Sequence, residues 1–137
     1  MADSFQGLPP PRLKQDENLD FHLDPILSVG LDVVKNHFSR FGLLDDRVHF
    51  MPGWFEDTLK APEPEKLAIL RADGDLYKST IDILDNLYHR VAPGGFVIID
   101  DFGAIDACRQ AVEDFRREHR IDNPIRTIDW TGVYWRV

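Results

Sequence analysis

The chain has 137 residues, one domain's length and enough to bury a core. With 43% hydrophobic and 29% charged residues it reads as globular, and a formal net charge of −8 argues against nucleic acid, whose phosphates demand an excess of Lys and Arg. The single cysteine, Cys108, excludes an internal disulfide and fits a reducing cytoplasm; no signal segment or bilayer-length apolar run is evident, so no membrane partner is expected.

Residues 1–27 show little periodicity. Gly7 and the prolines at 9–11 suggest a turn leading out of an earlier element into extended chain. A helix is expected from Ser28, as its cap, to Phe41, with Val33, Val34, His37, Phe38 and Phe41 on one packed face and Gly42 at its end. A short strand at 47–51 follows, turned by Pro52 and Gly53. Trp54 and Phe55 then either stack on a flat ligand or anchor the loop, which continues through a proline- and glutamate-rich stretch at 62–65.

The stretch 66–102 organises the chain. Leu67–Ala72 is an apolar run ending at Asp73, and 96–99 is another, ending at Asp100 and Asp101. Between them Tyr77, Ile81, Leu84, Tyr88 and Val91 recur at helical steps, and Pro93-Gly94-Gly95 reads as a loop. Strand, helix and strand make a right-handed crossover with parallel strands, so both acidic ends reach one sheet edge, where open α/β sheets bind ligands. A second helix at 104–119 turns Cys108, Ala111, Val112 and Phe115 inward, and 125–129 and 133–137 form a hairpin around Trp130-Thr131-Gly132. The order predicts an α/β layered sheet.

Four carboxylates mark that edge: Asp73, Asp75, Asp100 and Asp101. Asp75 lies just ahead of the helix and reads as its cap. Bringing the others together costs repulsion unless a cation neutralises them, and hard oxygen ligands at a partly open site suit Mg2+. A haloacid-dehalogenase-type phosphatase, with Asp73 as nucleophile and Asp75 as acid/base, fits superficially. It requires a long insertion between the acidic strands, where only one helix fits.

The segments DSFQGLP (3–9), GWFEDTL (53–59), LRADGDLYKST (70–80), GGFVIIDDFGA (94–104), CRQAVEDFR (108–116) and IDWTGVYWR (128–136) resemble, in order, the macrocin O-methyltransferase family. Its members methylate sugar hydroxyls of macrolide antibiotics with S-adenosylmethionine. The resemblance implies a Rossmann-like class I methyltransferase sheet with an antiparallel last strand. It places Mg2+ at Asp73, Asp100 and Asp101, Asp3 with neighbouring Ser4 at the cofactor ribose, and Trp54 and Phe55 near adenine. It makes Asp73 the candidate base and a glycosylated small molecule the acceptor.

The family also implies a first strand, a glycine-rich turn and an amino-terminal lid that no segment here matches. Residues 1–137 are therefore expected to be the carboxy-terminal part of such a domain, with impaired turnover. A non-catalytic metal-binding remnant or a complementing subunit is the alternative. Without the first strand, Leu67–Ala72 is an open edge, expected to self-associate, to recruit a complementing chain, or to pair with 47–51.

Overall fold

A computed structural model describes residues 1–61 and 64–137; Pro62 and Glu63, in the expected loop at 62–65, lie outside the described residues. The organising unit forms as β3 (Leu67–Ala72), α3 (Tyr77–Leu87) and β4 (Val91–Ile99), numbered to allow for two short strands and two helices ahead of it. Strands β3 and β4 run parallel, joined by one helix and a single 3-10 turn at Tyr88–Arg90, which leaves no room for the phosphatase insertion. Then come α4 (Asp106–Glu118) and the hairpin strands β5 (Arg126–Thr127) and β6 (Val133–Arg136). The sheet order is β3-β4-β6-β5, with β6 antiparallel to both neighbours.

Two expectations shift inside this unit. Val91 leaves the helix and starts β4, and Pro93-Gly94-Gly95 is a bulge within that strand rather than a loop. Leu67 lies opposite Val91, yet Ile69 already lies opposite Phe96, so the extra residues of β4 arch out of register. Gly95 makes this possible: a Cβ there would sit 2.8 Å from the Ala68 carbonyl oxygen and 2.9 Å from that of Ala92.

One sheet face carries the core. Leu70 and Ala72 of β3, Val97 and Ile99 of β4, and Val133 and Trp135 of β6 are buried against Ile83 and Leu84 of α3 and Cys108, Val112 and Phe115 of α4. Each large side chain so buried contributes about 1.5–3 kcal/mol. Cys108 is a core residue, as its place in the apolar stripe implies. The opposite face carries Ile69 and Phe96, which remain 56% and 38% exposed.

The amino-terminal half differs more from expectation. The strand expected at 47–51 shrinks to β2 (Met51–Pro52), which pairs in parallel with β1 (Ala2–Asp3) and not with β3. Helix α1 (Leu31–Arg40) starts after Gly30 without a side-chain cap, so Ser28 does not cap it. None of its residues is buried: Val33 and His37 are exposed, as is Phe41 just past its end, while Phe38 packs edge-on to Phe50 at 5.6 Å. A two-residue ribbon offers the helix little surface to cover, which is why its apolar stripe stays wet. Helix α2 (Phe55–Thr58) follows β2. Among the described residues, no helix is long and apolar enough to cross a membrane.

Candidate active site

The acidic edge is built by two strand ends. After Ala72 the chain passes Asp73 and Gly74, whose close approach to α3 excludes a side chain: a Cβ would meet the Thr80 amide nitrogen at 3.3 Å and Ile83 Cδ1 at 3.2 Å. Leu76 N donates to Gly74 O at 2.5 Å, closing a three-residue turn with Asp75 at its centre and φ +52°. A non-glycine residue held there stores backbone strain of order 1–3 kcal/mol, a feature that clusters at functional sites. The turn aims Asp75 at the strand ends. It does not cap α3.

The cap comes from a residue that sequence reasoning missed. Asp16, fully buried, accepts from Tyr77 N at 2.7 Å through Oδ1 and from Lys78 N at 3.2 Å through Oδ2. No local pattern announces a cap 61 residues away. With Asp16 holding the helix amides, Asp75 is released toward the neighbouring acids.

At the second strand end, Asp100 N donates to Ala72 O at 3.0 Å, and Asp101 O accepts from Ala104 N and Ile105 N in a tight turn. One carboxylate oxygen from each of Asp73, Asp75 and Asp101 lies within 4.8 Å of the others. Burial, with the charge of Asp101 next, pushes the Asp75 carboxyl up to about 7. Burial, with the charges of Asp101 and Asp100, raises Asp73 as well, and burial raises Asp101. Asp101 Oδ2 is buried and has no hydrogen-bond partner among the described residues. Three crowded acids that resist ionisation, one with an orphaned oxygen, fit a hard divalent cation.

Asp100 departs from the expected set. Both its oxygens are taken by Arg71, through Nε at 3.1 Å and through Nη2. The same Nη2 stands 3.9 Å from Asp73 Oδ2. The structure therefore brings together Asp73 and Asp101 of the predicted ligands, puts Asp75 in third place, and holds Asp100 on an arginine.

The remaining predicted residues share one cavity of about 630 Å³, lined by Asp3, Ser4, Trp54, Phe55, Asp73 and Asp75 among others. Its volume suits a small-molecule ligand. Strand β1 delivers Asp3, whose Oδ1 accepts from Phe5 N at 2.6 Å, while Ser4 Oγ accepts from Gln6 N at 3.0 Å and donates to Gly7 O at 2.6 Å. These bonds hold Phe5 at φ +55°, its ring buried and edge-on to Phe50 at 6.3 Å. Trp54 lies just ahead of α2 and Phe55 opens it; both are half-buried, neither fully packed nor free. Lys78 links this side to α3, pairing with Asp82 at 2.6 Å and approaching Glu56 at 3.7 Å.

The chain is similar to several known proteins. The chain is 51% identical over 140 residues to the 8-demethyl-8-(2,3-dimethoxy-alpha-L-rhamnosyl)-tetracenomycin-C 4'-O-methyltransferase of Streptomyces olivaceus, covering 99% of this chain and 53% of that protein. It is 47% identical over 144 residues to the mycinamicin III 3''-O-methyltransferase of Micromonospora griseorubida, covering 99% and 56%. The solved structure of the O-methyltransferase NovP superposes with a TM-score of 0.95 at 43% identity, over 98% of this chain and 57% of that one. The calicheamicin methyltransferase CalS11, at 20% identity and a TM-score of 0.74 over 98% of this chain and 58% of its own, shares the fold. The chain thus spans about half the length of the relatives it matches, and its mixed α/β sheet is that of methyltransferases. The sequence profile of the Macrocin-O-methyltransferase (TylF) family matches residues 1–137, and the chain belongs to that family.

Proposed function

We propose that this chain is the cation- and acceptor-binding part of an enzyme that moves a methyl group from S-adenosylmethionine to a sugar hydroxyl of a glycosylated, macrolide-like natural product. The observation that carries the reading is the convergence of Asp73, Asp75 and Asp101, with an orphaned buried oxygen, beside the cavity that holds Asp3 and the two aromatics. The named activities of the Streptomyces and Micromonospora relatives, both O-methyltransferases of glycosylated natural products, support it.

Mg2+ bound by the acids would polarise an alcohol oxygen and lower its pKa. Asp73 and Asp101 would hold it together with Asp75, and Asp100 joins only by leaving Arg71. Asp73, at the edge and made more basic by partial desolvation and its acidic neighbours, is the proton acceptor of the proposed reaction. Asp3, fixed by its bond from Phe5 N, and Ser4 would hold the donor's ribose, and Trp54 and Phe55 its adenine. The first strand and glycine-rich turn of a methyltransferase domain would be supplied by polypeptide outside these residues.

Two measurements test the reading. Calorimetry of the chain is expected to show Mg2+ or Mn2+ binding that Asp101→Asn weakens at least tenfold; no divalent binding by a folded sample overturns it. With labelled S-adenosylmethionine and a deoxysugar-bearing macrolide, label is expected in the sugar only when Mg2+ is present. Turnover by the 137 residues alone is expected to be slow, because a loosely positioned donor forfeits most of the rate advantage. Transfer that is indifferent to both EDTA and Asp101→Asn refutes the assigned roles.

A further inference from the structure

The connection between β5 and β6 runs through Asp129-Trp130-Thr131-Gly132, and the turn itself accounts for three of those four residues. Asp129 Oδ1 accepts from Thr131 N at 2.9 Å, from Gly132 N at 2.7 Å and from Thr131 Oγ1 at 3.1 Å. A side chain at Gly132 would crowd that oxygen at 3.3 Å. Trp130 has no such duty, and small polar residues serve a turn position equally well. Its indole is 83% exposed and, among the described residues, stacks on no ring or cation. Trp135 of β6, by contrast, is buried beside Tyr88 and Arg116.

The same turn is fixed to the acidic edge. Gly103, two residues after Asp101, donates from its N–H to Thr131 O at 2.7 Å, and a Cβ on Gly103 would collide with Trp130 O, so the two backbones touch. Ala72, Ile99 and Val133 form one row across the sheet. Just beyond that row lie Asp73, then Asp100 and Asp101, then the turn. At about 4.8 Å per strand, the turn begins roughly 10 Å from the end of β3. The cavity that holds Asp3, Trp54 and Phe55 is lined by β1 and β3 and, among the described residues, by none of β4, β6 or the turn. The edge therefore runs from cavity to acids to Trp130.

We infer that the indole of Trp130 is the platform on which the acceptor's sugar ring lays its C–H face. Methyl transfer in line requires the acceptor oxygen to stand between the donor and the rest of its own sugar. With the donor in the cavity and the hydroxyl at the acids, that sugar extends over the ends of β4 and β6, toward Trp130. Carbon-bound hydrogens carry slight positive charge and are drawn to the negative face of an aromatic ring. A deoxysugar, which has lost a hydroxyl, presents a broader face of this kind. The donor's adenine is not the occupant, because the cavity and its two aromatics lie on the far side of the acids. Trp130 thus selects a neutral sugar ring by its C–H face, while the acids take its hydroxyls.

The inference rests on the methyl-transfer reading, and its test keeps the two apart. Methyl α-L-rhamnopyranoside, a neutral deoxyglycoside, is titrated into the 137-residue chain with Mg2+ while the sugar's proton resonances are followed. Stacking on the indole is expected to move the ring C–H and methyl protons upfield. Trp130→Ala is expected to weaken binding at least fivefold and to abolish that shift, whereas Trp130→Phe keeps the shift and binds within threefold of the parent. Because the side chain lies outside the core, both variants are expected to melt with the parent and, by calorimetry, to bind Mg2+ with parental affinity. Absence of divalent binding by the parent strikes the cation site and not the platform, since the sugar shift and its dependence on Trp130 are read independently. A sugar titration unaltered in Trp130→Ala, with Mg2+ still bound, overturns the platform alone. Sugar resonances that the parent leaves unmoved also overturn it, as does a Trp130→Phe variant as weak as Trp130→Ala.

Discussion

Replacing Asp75 with Asn should make the metal-free chain more stable, although it removes a charged group from the proposed site. The left-handed conformation of Asp75, φ +52°, is one that Asn tolerates, so the tight turn survives. The carboxyl is raised from its ordinary 3.8 to about 7, chiefly by burial and then by the charge of Asp101. At about 1.4 kcal/mol per tenfold, that difference is ~4 kcal/mol at face value, and partial exposure to solvent reduces it to about 2 kcal/mol. Folded Asp75 binds its proton more tightly than unfolded Asp75, so stability falls as pH rises from about 4 to 7. Asn removes that cost and should raise the midpoint of thermal unfolding near pH 7.5 by about 6 °C in a domain of this size. It should also flatten, though not abolish, the pH dependence, because Asp73 and Asp101 are raised too. Circular dichroism melts in EDTA between about pH 4.5 and 8 measure both effects, and added Mg2+ should stabilise the parent more than the variant. An Asn variant that melts at or below the parent near neutral pH, with an unchanged pH slope, would show that the three carboxylates do not repel as their spacing requires.

Asp16→Ala strips the cap from Tyr77 N and Lys78 N and should cost about 1–2 kcal/mol in urea unfolding, with Asp16→Asn recovering part of the loss. Cys108, its thiol pushed up to about 12 by burial, should resist alkylation in the folded chain near pH 8 and react promptly once urea unfolds it; fast labelling of the folded protein contradicts the core assignment. Arg71→Met removes a cation beside Asp73 and frees Asp100, so calorimetry should show divalent binding strengthened by roughly fivefold, on the order of 1 kcal/mol. Weaker binding would mean that Arg71 positions Asp100 for the ion rather than withholding it.

What the sequence revealed was the information carried by short-range pattern. The span of β3 is the apolar run before Asp73, and a hairpin forms around Trp130-Thr131-Gly132, although its first strand keeps only Arg126 and Thr127 of the expected 125–129. Periodicity misled where a partner decides the structure. The strand expected at 47–51 has only Ala2 and Asp3 to pair with and keeps Met51 alone, joined by Pro52 of the expected turn, and α1 consequently buries none of its apolar stripe. The Pro93-Gly94-Gly95 signal for a break was real, but neighbours on both sides of β4 turned the break into a bulge. At the acidic edge, the convergence of Asp73 and Asp101 was legible because both strand ends reach one edge of the sheet. The presence of Asp75 in that cluster and of Asp100 on Arg71 was not, since it depends on Asp16 and Arg71, and neither pairing follows from sequence spacing.

The hairpin turn that closes the sheet also times the assembly of the acidic edge. Asp129 Oδ1 accepts from Thr131 N, Gly132 N and Thr131 Oγ1, and the turn so stiffened receives Gly103 N on Thr131 O at 2.7 Å. The loop that carries Asp100 and Asp101 is thus clamped by residues translated well after it. On a ribosome, Asp73 and Asp75 emerge first, then Asp100 and Asp101, and last the clamp. Non-local closure of this kind is slow compared with helix formation. The acidic edge is therefore complete only once this closure has formed, and an ion held there as proposed would be captured late in folding. A lesion in the turn at 129–132 would loosen the loop that carries Asp100 and Asp101, although none of its residues belongs to the acidic cluster.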